Sequence, residues 1–349
     1  MQRRLQNRIA ESTATLPVAA VTATLLWWLP QGGYSTAYLL GWVVCVVTTY
    51  IVVETSTQNA LLRLRSRMDS ALFLLVMAAC GTLHALSSAT ATLIPLTAAI
   101  FCLLRSYDKP QPQLDTFHAY LLLSLASLFE PPLLLLTPVL MAIQVFFLRS
   151  LTWRGTGAIL CGVVVPYLFW GATAMALEDI KPFTSHATAI IWPFTEPFYW
   201  QWLIEQPSIY AGQDMESGDT LLTTVGEGLR LRAMAHPQLT AMLAWLLLLS
   251  LTGVTHYLRH SYDDKIRVRM CHYTFITLLI ACGLWLLLQP RYAKMLLPLI
   301  ILSSVPSAAH FMALTHTRFT NYWTFFLLFL LLPIILLGIL GTLIPVAFL

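Results

Sequence analysis

The chain reads as an all-α, polytopic transmembrane helix bundle of about eleven helices, a number set by the length a bilayer crossing requires. Three observations carry that reading. Of 349 residues, 58% are hydrophobic and 10% charged, with a mean hydropathy of +0.72, whereas soluble domains carry nearer a quarter charged residues. Long apolar runs follow one another along the whole length. Fifteen of the twenty Lys and Arg residues fall in one alternating set of the polar gaps between those runs, the asymmetry that marks cytoplasmic connections.

A helix needs about 20 residues to cross the hydrocarbon at about 1.5 Å per residue. In order, the runs are 13–30, 36–53, 70–86, 88–104, 116–129, 132–148, 155–176, 236–257, 271–289, 294–312 and 322–346. The first follows MQRRLQNR, whose Arg3, Arg4 and Arg8 hold that end inside. No small-x-small site precedes QGG, so a cleaved signal peptide is not expected. Starting inside, residues 54–69, 105–115, 149–154, 258–270 and 313–321 lie in the cytoplasm. They carry Arg63, Arg65, Arg67, Arg105, Lys109, Arg149, Arg154, Arg259, Lys265, Arg267, Arg269 and Arg318. Residues 31–35, 87, 177–235, 290–293 and the C-terminus lie outside, with only Lys181, Arg230, Arg232, Arg291 and Lys294 as cations. The last run either crosses straight or bends at Pro333. The expected organisation is one integral membrane domain, 1–349, with 177–235 as an extracytoplasmic loop.

Two places interrupt the pattern. Residues 116–148 must leave and return to the same side, since both flanks are basic. The turn falls at Glu130-Pro131-Pro132, because proline lacks an amide donor and forces the preceding residue out of helix. The stretch is either two short helices or a re-entrant hairpin. Glu130 then lies at or somewhat below the outer surface, where an acid is a functional candidate or a loop cap at the headgroups. The second interruption, 177–235, holds eight of the sixteen acids. Its first half is crowded with Trp192, Phe194, Phe198, Tyr199, Trp200 and Trp202, the composition of an amphipathic element at headgroup level. A second surface helix is expected from about Asp219 to Ala233. The segment caps the bundle, either over a substrate groove or as a seal.

Composition excludes several chemistries. The basic residues sit beside membrane runs and form no stripe for nucleic acid, so no nucleic-acid partner is expected. No nucleotide-binding glycine signature, HExxH or GxSxG is present, and neither cofactor nor metal is expected. Cys45, Cys80, Cys102, Cys161, Cys271 and Cys282 have no CxxC spacing and read as small thiols packed between helices. His256 and His260 are four apart and share a helix face, as interfacial residues and not a zinc site. His84 and His310 lie in or near membrane runs and are placed to hydrogen-bond across helices. The most suggestive motif is Gln289-Pro290-Arg291-Tyr292-Ala293-Lys294, with two cations on the outer side. Arg291 and Lys294, with Tyr292 between them, suit a lipid phosphate; the alternative is side chains snorkelling to ordinary headgroups.

The block LLSLASLFEPPLLLLTPVLMAIQVFFLRSLTWRGTGAILCGVVVPYLFWG, residues 122–171, resembles a family of multi-spanning inner-membrane proteins of the Bacteroidota with no assigned activity. Arg149, Trp153, Arg154, Gly162, Pro166 and Tyr167 carry the likeness, and IRVRM and the final helices follow in order. More distantly, the chain is similar to membrane glycosyltransferases that use polyprenyl-phosphate sugars, through Arg291 and Tyr292 at the outer start of a late helix. Those enzymes keep an acid in the first outer loop, whereas QGGYS at 31–35 has none. A general base must reach the acceptor hydroxyl, so Glu130, or Glu178 and Asp179, would have to serve. That resemblance implies sugar transfer from a lipid carrier on the outer face, with Arg291 and Lys294 on the phosphate.

Three functions remain open on these residues: a non-catalytic envelope scaffold or assembly component, such a glycosyltransferase, and a transporter or flippase of an envelope precursor. Expected partners are membrane lipids, a lipid-phosphate-linked substrate and an envelope protein. The expected location is the bacterial inner membrane, multi-pass, N-terminus cytoplasmic.

Overall fold

The computed structural model describes residues 5–28, 35–62, 66–195, 237–315 and 317–343. Every element among them is helical. They are α1 (Leu5–Glu11), α2 (Thr15–Trp28), α3 (Thr36–Asn59), α4 (Met68–Ala79), α5 (Ser88–Ala91), α6 (Leu93–Arg105) and α7 (Gln113–Phe129). A 3₁₀ turn Pro131–Leu136, α8 (Thr137–Ile143) and a π turn Gln144–Leu148 form one continuous rod. There follow α9 (Trp153–Ala176), α10 (Lys181–Thr195), α11 (Pro237–His260), α12 (Ile266–Leu288), α13 (Ala293–Leu314), α14 (Arg318–Phe329) and α15 (Leu331–Leu343).

Each expected apolar run is helical over most of its length. Among the described residues eight helical stretches are long and apolar enough to cross a membrane, and α2, α4 and α7 are shorter, with 14, 12 and 17 residues. The chain is therefore an all-α, multi-pass membrane bundle. Boundaries differ where apolarity and helix part company. The run 70–86 is helical only to Ala79 and continues as a 3₁₀ turn, Gly81–Leu83. Helix α3 runs past 53 to Asn59, ending on Ala60 in the left-handed region. The final bend falls at Leu330, so Pro333 sits in the first turn of α15, where its missing N–H costs nothing.

The stretch around Glu130 consists of two antiparallel rods. Glu130 is extended (φ −134°, ψ 92°), as a residue before proline must be. The 3₁₀ turn gains length at about 2.0 Å per residue, and the returning rod reaches Leu148, whose carbonyl accepts from Asp108 N–H at 3.1 Å. Midway, Tyr120 donates to Gln144 Oε1 at 3.1 Å and Gln144 Nε2 donates to Thr116 at 3.1 Å. These bonds satisfy three buried polar groups between the rods, as an apolar surround requires.

The alternate basic connections meet at one end of the bundle. Ser106 bonds Ser150 (2.9 Å), Arg267 bonds Asn59 (3.2 Å), His272 bonds the Leu61 carbonyl (3.0 Å), and Asn7 bonds the Ala313 carbonyl (3.2 Å). At the opposite end Leu86 N–H donates to the Ala37 carbonyl at 2.8 Å, and Gln238 donates to the Ala79 carbonyl at 3.4 Å.

Helix α13 is the pillar. From Ala293 to Ala313 every residue except Lys294 is buried, against α1, α4, α11 and α12. Small residues allow that enclosure, since they let backbones approach closely. Its serines turn back on their own helix: Ser303 donates to the Leu299 carbonyl (2.7 Å) and Ser307 to the Ser304 carbonyl (3.0 Å). Pro306 leaves the Leu302 carbonyl without its helical donor. There a small chamber of about 20 Å³ lies among Leu61, Asp69, Thr97, Leu302 and Pro306, room for about one water. Asp69, buried at the start of α4, accepts a hydrogen bond from Ser56 beside it.

Candidate functional site

Away from the basic end, the connection at Glu130 is covered by α10, which packs along the 3₁₀ turn Pro131–Leu136 and against α9. Glu130 accepts a hydrogen bond from Ser88, the first residue of α5. Beneath α10 runs a polar chain. Ser127 donates to the Ser124 carbonyl (2.7 Å), so the 2.7 Å contact of Ser127 with Tyr167 is donated by the phenol. Tyr167 then accepts from His186 Nε2 at 3.3 Å. Trp170 meets His186 edge-on, with ring centres 4.7 Å apart, and Phe183 at 5.5 Å. Burial among these rings holds His186 below the ordinary imidazole value.

Between α7 and α9 opens a groove of about 540 Å³ lined by Leu121, Leu125, Leu128, Pro166, Phe169 and Trp170. Its walls are mostly apolar. The helices come close behind it because Gly162 of α9 lies on the backbone of α7: a Cβ there would stand 2.7 Å from the Phe117 carbonyl oxygen.

Glu178 and Asp179 are exposed and form the C-terminal cap of α9. Glu178 is left-handed (φ 56°), with its N–H on the Met175 carbonyl (3.2 Å) and the Asp179 N–H on the Ala174 carbonyl (3.1 Å). That is the paired bonding of a helix stop usually made by glycine, so local backbone bonding accounts for where these two acids sit.

Arg291 and Tyr292 form a short 3₁₀ turn before α13. The guanidinium lies over the Tyr292 ring, 4.7 Å from its centre, and donates to the phenol oxygen at 2.9 Å. Trp285 packs edge-on against Tyr292 and donates to Gln289 at 3.2 Å. Lys294 is exposed one turn along. The candidates are thus engaged with different partners: Glu130 with Ser88, Arg291 with Tyr292.

A second concentration of polar groups, at the basic end, was not assembled by sequence reading. Asp264 stands 3.4 Å from His310, each side chain about 1% exposed. Tyr257 stacks on His272 (4.1 Å) and meets His310 edge-on (4.8 Å). His310 does interact across helices, as expected, but its partner was invisible in the sequence, 46 positions away in the turn before α12. His84, by contrast, stays local: its ring bonds the Ala78 carbonyl at 3.0 Å and stacks on Trp27 at 4.1 Å. Among the described residues no group of three or more His, Cys, Asp or Glu stands in metal-binding geometry. Cys45, Cys80, Cys271 and Cys282 are buried as packed thiols, whereas Cys161 is exposed on α9, contrary to the expectation.

The first outer connection, apart from Ser35, and the aromatic tract beyond Thr195 lie outside the described residues, as does the surface helix expected from Asp219 to Ala233. No family model matches the chain, and no curated protein or solved structure matches it.

Proposed function

We propose that this chain is a non-catalytic scaffold of the bacterial cell envelope, held in the inner membrane with its basic end and N-terminus in the cytoplasm. One observation carries the reading: α13, at the centre, is buried along its length by its neighbours. A transporter moving a precursor builds its site on a cavity or a broken helix at mid-depth, whereas the central helix α13 is continuous and enclosed by its neighbours. Envelope proteins and membrane lipids are the partners of this reading, and it groups the chain with the Bacteroidota proteins it resembles.

A second reading is favoured by the groove between α7 and α9. Its apolar walls match the tail of a lipid-phosphate-linked sugar, as a glycosyltransferase would require. Arg291, Tyr292 and Lys294 would then hold the phosphate and Glu130, Glu178 or Asp179 would act as base.

Native mass spectrometry of the protein in mild detergent separates the two. The scaffold reading expects bulk phospholipid only, unchanged in Glu130→Ala and in Arg291→Ala/Lys294→Ala. A retained polyprenyl-phosphate species, lost in the double variant, overturns it in favour of a transferase or flippase, and a sugar-transfer assay then separates those two.

A further inference from the structure

The ionisable cluster at the basic end has no role in either reading. Asp264 lies in the turn between α11 and α12, and His310 on the pillar α13, so their 3.4 Å contact ties that turn to the centre of the bundle. The surrounding ionisable groups are His256, Tyr257 and His260 on α11, Asp263 in the turn, and Arg269, His272 and Tyr273 on α12. Asp69 of α4 lies farther along α13 beside Pro306. Helix α1 brings uncharged Gln6 and Asn7, and α14 begins with exposed Arg318.

Two features set this cluster apart from a merely satisfied core. The first is a path of imidazoles to the surface. Exposed His260 stacks on half-buried His256 with ring centres 4.4 Å apart, His256 stands 5.7 Å from His310, and His310 stands 5.5 Å from His272. The second is the number of buried polar atoms with no hydrogen-bond partner among the described residues. His256 Nδ1, Arg269 Nε and His272 Nδ1 are all of this kind. His272 Nε2 donates to the Leu61 carbonyl, so its Nδ1 presents a lone pair inside the protein. Buried groups left short of partners are costly and call for a functional explanation.

We propose that Asp264 and His310 form a buried proton-binding site, loaded from the basic end through His260 and His256. The proton comes from solvent and rests on His310 Nε2 facing the Asp264 carboxylate; no other bond forms or breaks. Rotation of the half-buried His256 ring carries it across a gap too wide for a single hydrogen bond. With the proton bound, the imidazolium compensates the carboxylate and holds the 261–264 turn against α13. Without it, the Asp264 carboxylate meets a neutral ring on the α13 side, which weakens that tie. The folded protein thus holds a proton that the unfolded chain releases, so stability falls as pH rises.

The test uses the full chain in detergent, with thermal unfolding measured from about pH 5.5 to about pH 8.5, the range in which imidazoles ordinarily change charge. Relative to Asp264→Asn and His310→Gln, wild type is expected to lose about 3 °C or more of midpoint across that range. A difference between wild type and both variants that does not change with pH overturns the proposal. Because either variant can fail to fold, His256→Gln/His260→Gln is tested beside them by proton uptake after a pH jump, read with an indicator dye. Its unfolding curve is expected to match wild type while uptake slows. Uptake at the wild-type rate overturns the relay.

Discussion

Gly253 on α11 lies directly against Ala308 on α13: a Cβ built at 253 would stand 2.7 Å from the Ala308 amide nitrogen. Backbone opposes backbone here, so neither side has a side chain that can swing away. Gly253→Val is expected to destabilise the bundle by about 2 kcal/mol or more, read as a lower unfolding midpoint in detergent. Gly283 on α12 has nothing within 4 Å of the same construction, and Gly283→Ala is expected to stay within about 0.5 kcal/mol of wild type. Equal effects at the two positions would contradict the close approach.

Gln144 serves two partners at once, accepting from Tyr120 and donating to Thr116. Gln144→Leu leaves two buried hydroxyls short of a partner and is expected to cost about 1–2 kcal/mol. Replacing all three, as Thr116→Val/Tyr120→Phe/Gln144→Leu, is expected to recover much of that loss. Additive losses in the triple variant would show that the three do not act as a unit.

Glu178 holds a left-handed backbone at the end of α9. Glycine adopts that conformation without a Cβ clash, so Glu178→Gly is expected to raise stability by about 1 kcal/mol. Glu178→Val is expected to lower it. A fall on substitution by glycine would mean the carboxylate itself holds this end together.

Burial disfavours protonation of His186 in the folded protein. The unfolded chain takes up that proton more readily, so the docking of α10 is at full strength above about pH 6.5 and weakens as pH falls below it. Trp170 touches the His186 ring and reports the change. The fluorescence difference between wild type and Trp170→Phe is expected to titrate in acid, and to stop doing so in His186→Gln.

Orientation is tested by labelling with a membrane-impermeant maleimide. Asp179→Cys is expected to react in intact cells and Lys109→Cys only after lysis. The reverse pattern would invert the proposed topology.

Much of the architecture was legible along the chain because the bilayer imposes it. Apolar length and the alternation of basic gaps are local quantities, and the contacts Ser106–Ser150 and Asn59–Arg267 draw those gaps to one end as the alternation requires. The turn at Glu130 was legible for the same reason, since two prolines dictate backbone shape without tertiary help. The exact helix ends were less so. Ala79, not residue 86, closes α4, because apolarity continues through a 3₁₀ turn that periodicity does not distinguish from α-helix.

By itself, then, the sequence determined an all-helical multi-pass bundle and its most conspicuous charged motifs. Packing decided which helix is central, a question hydropathy cannot answer, because lipid-facing and protein-facing surfaces are equally apolar. It was α13 that became the pillar, through small residues whose hydroxyls bond their own backbone. Tertiary structure also decided which charges meet. It gave Glu130 to Ser88 and Arg291 to Tyr292, and it brought Asp264 to His310. Such pairings depend on the relative rotation of helices about their axes, and that is fixed only when the side chains of neighbouring helices interlock.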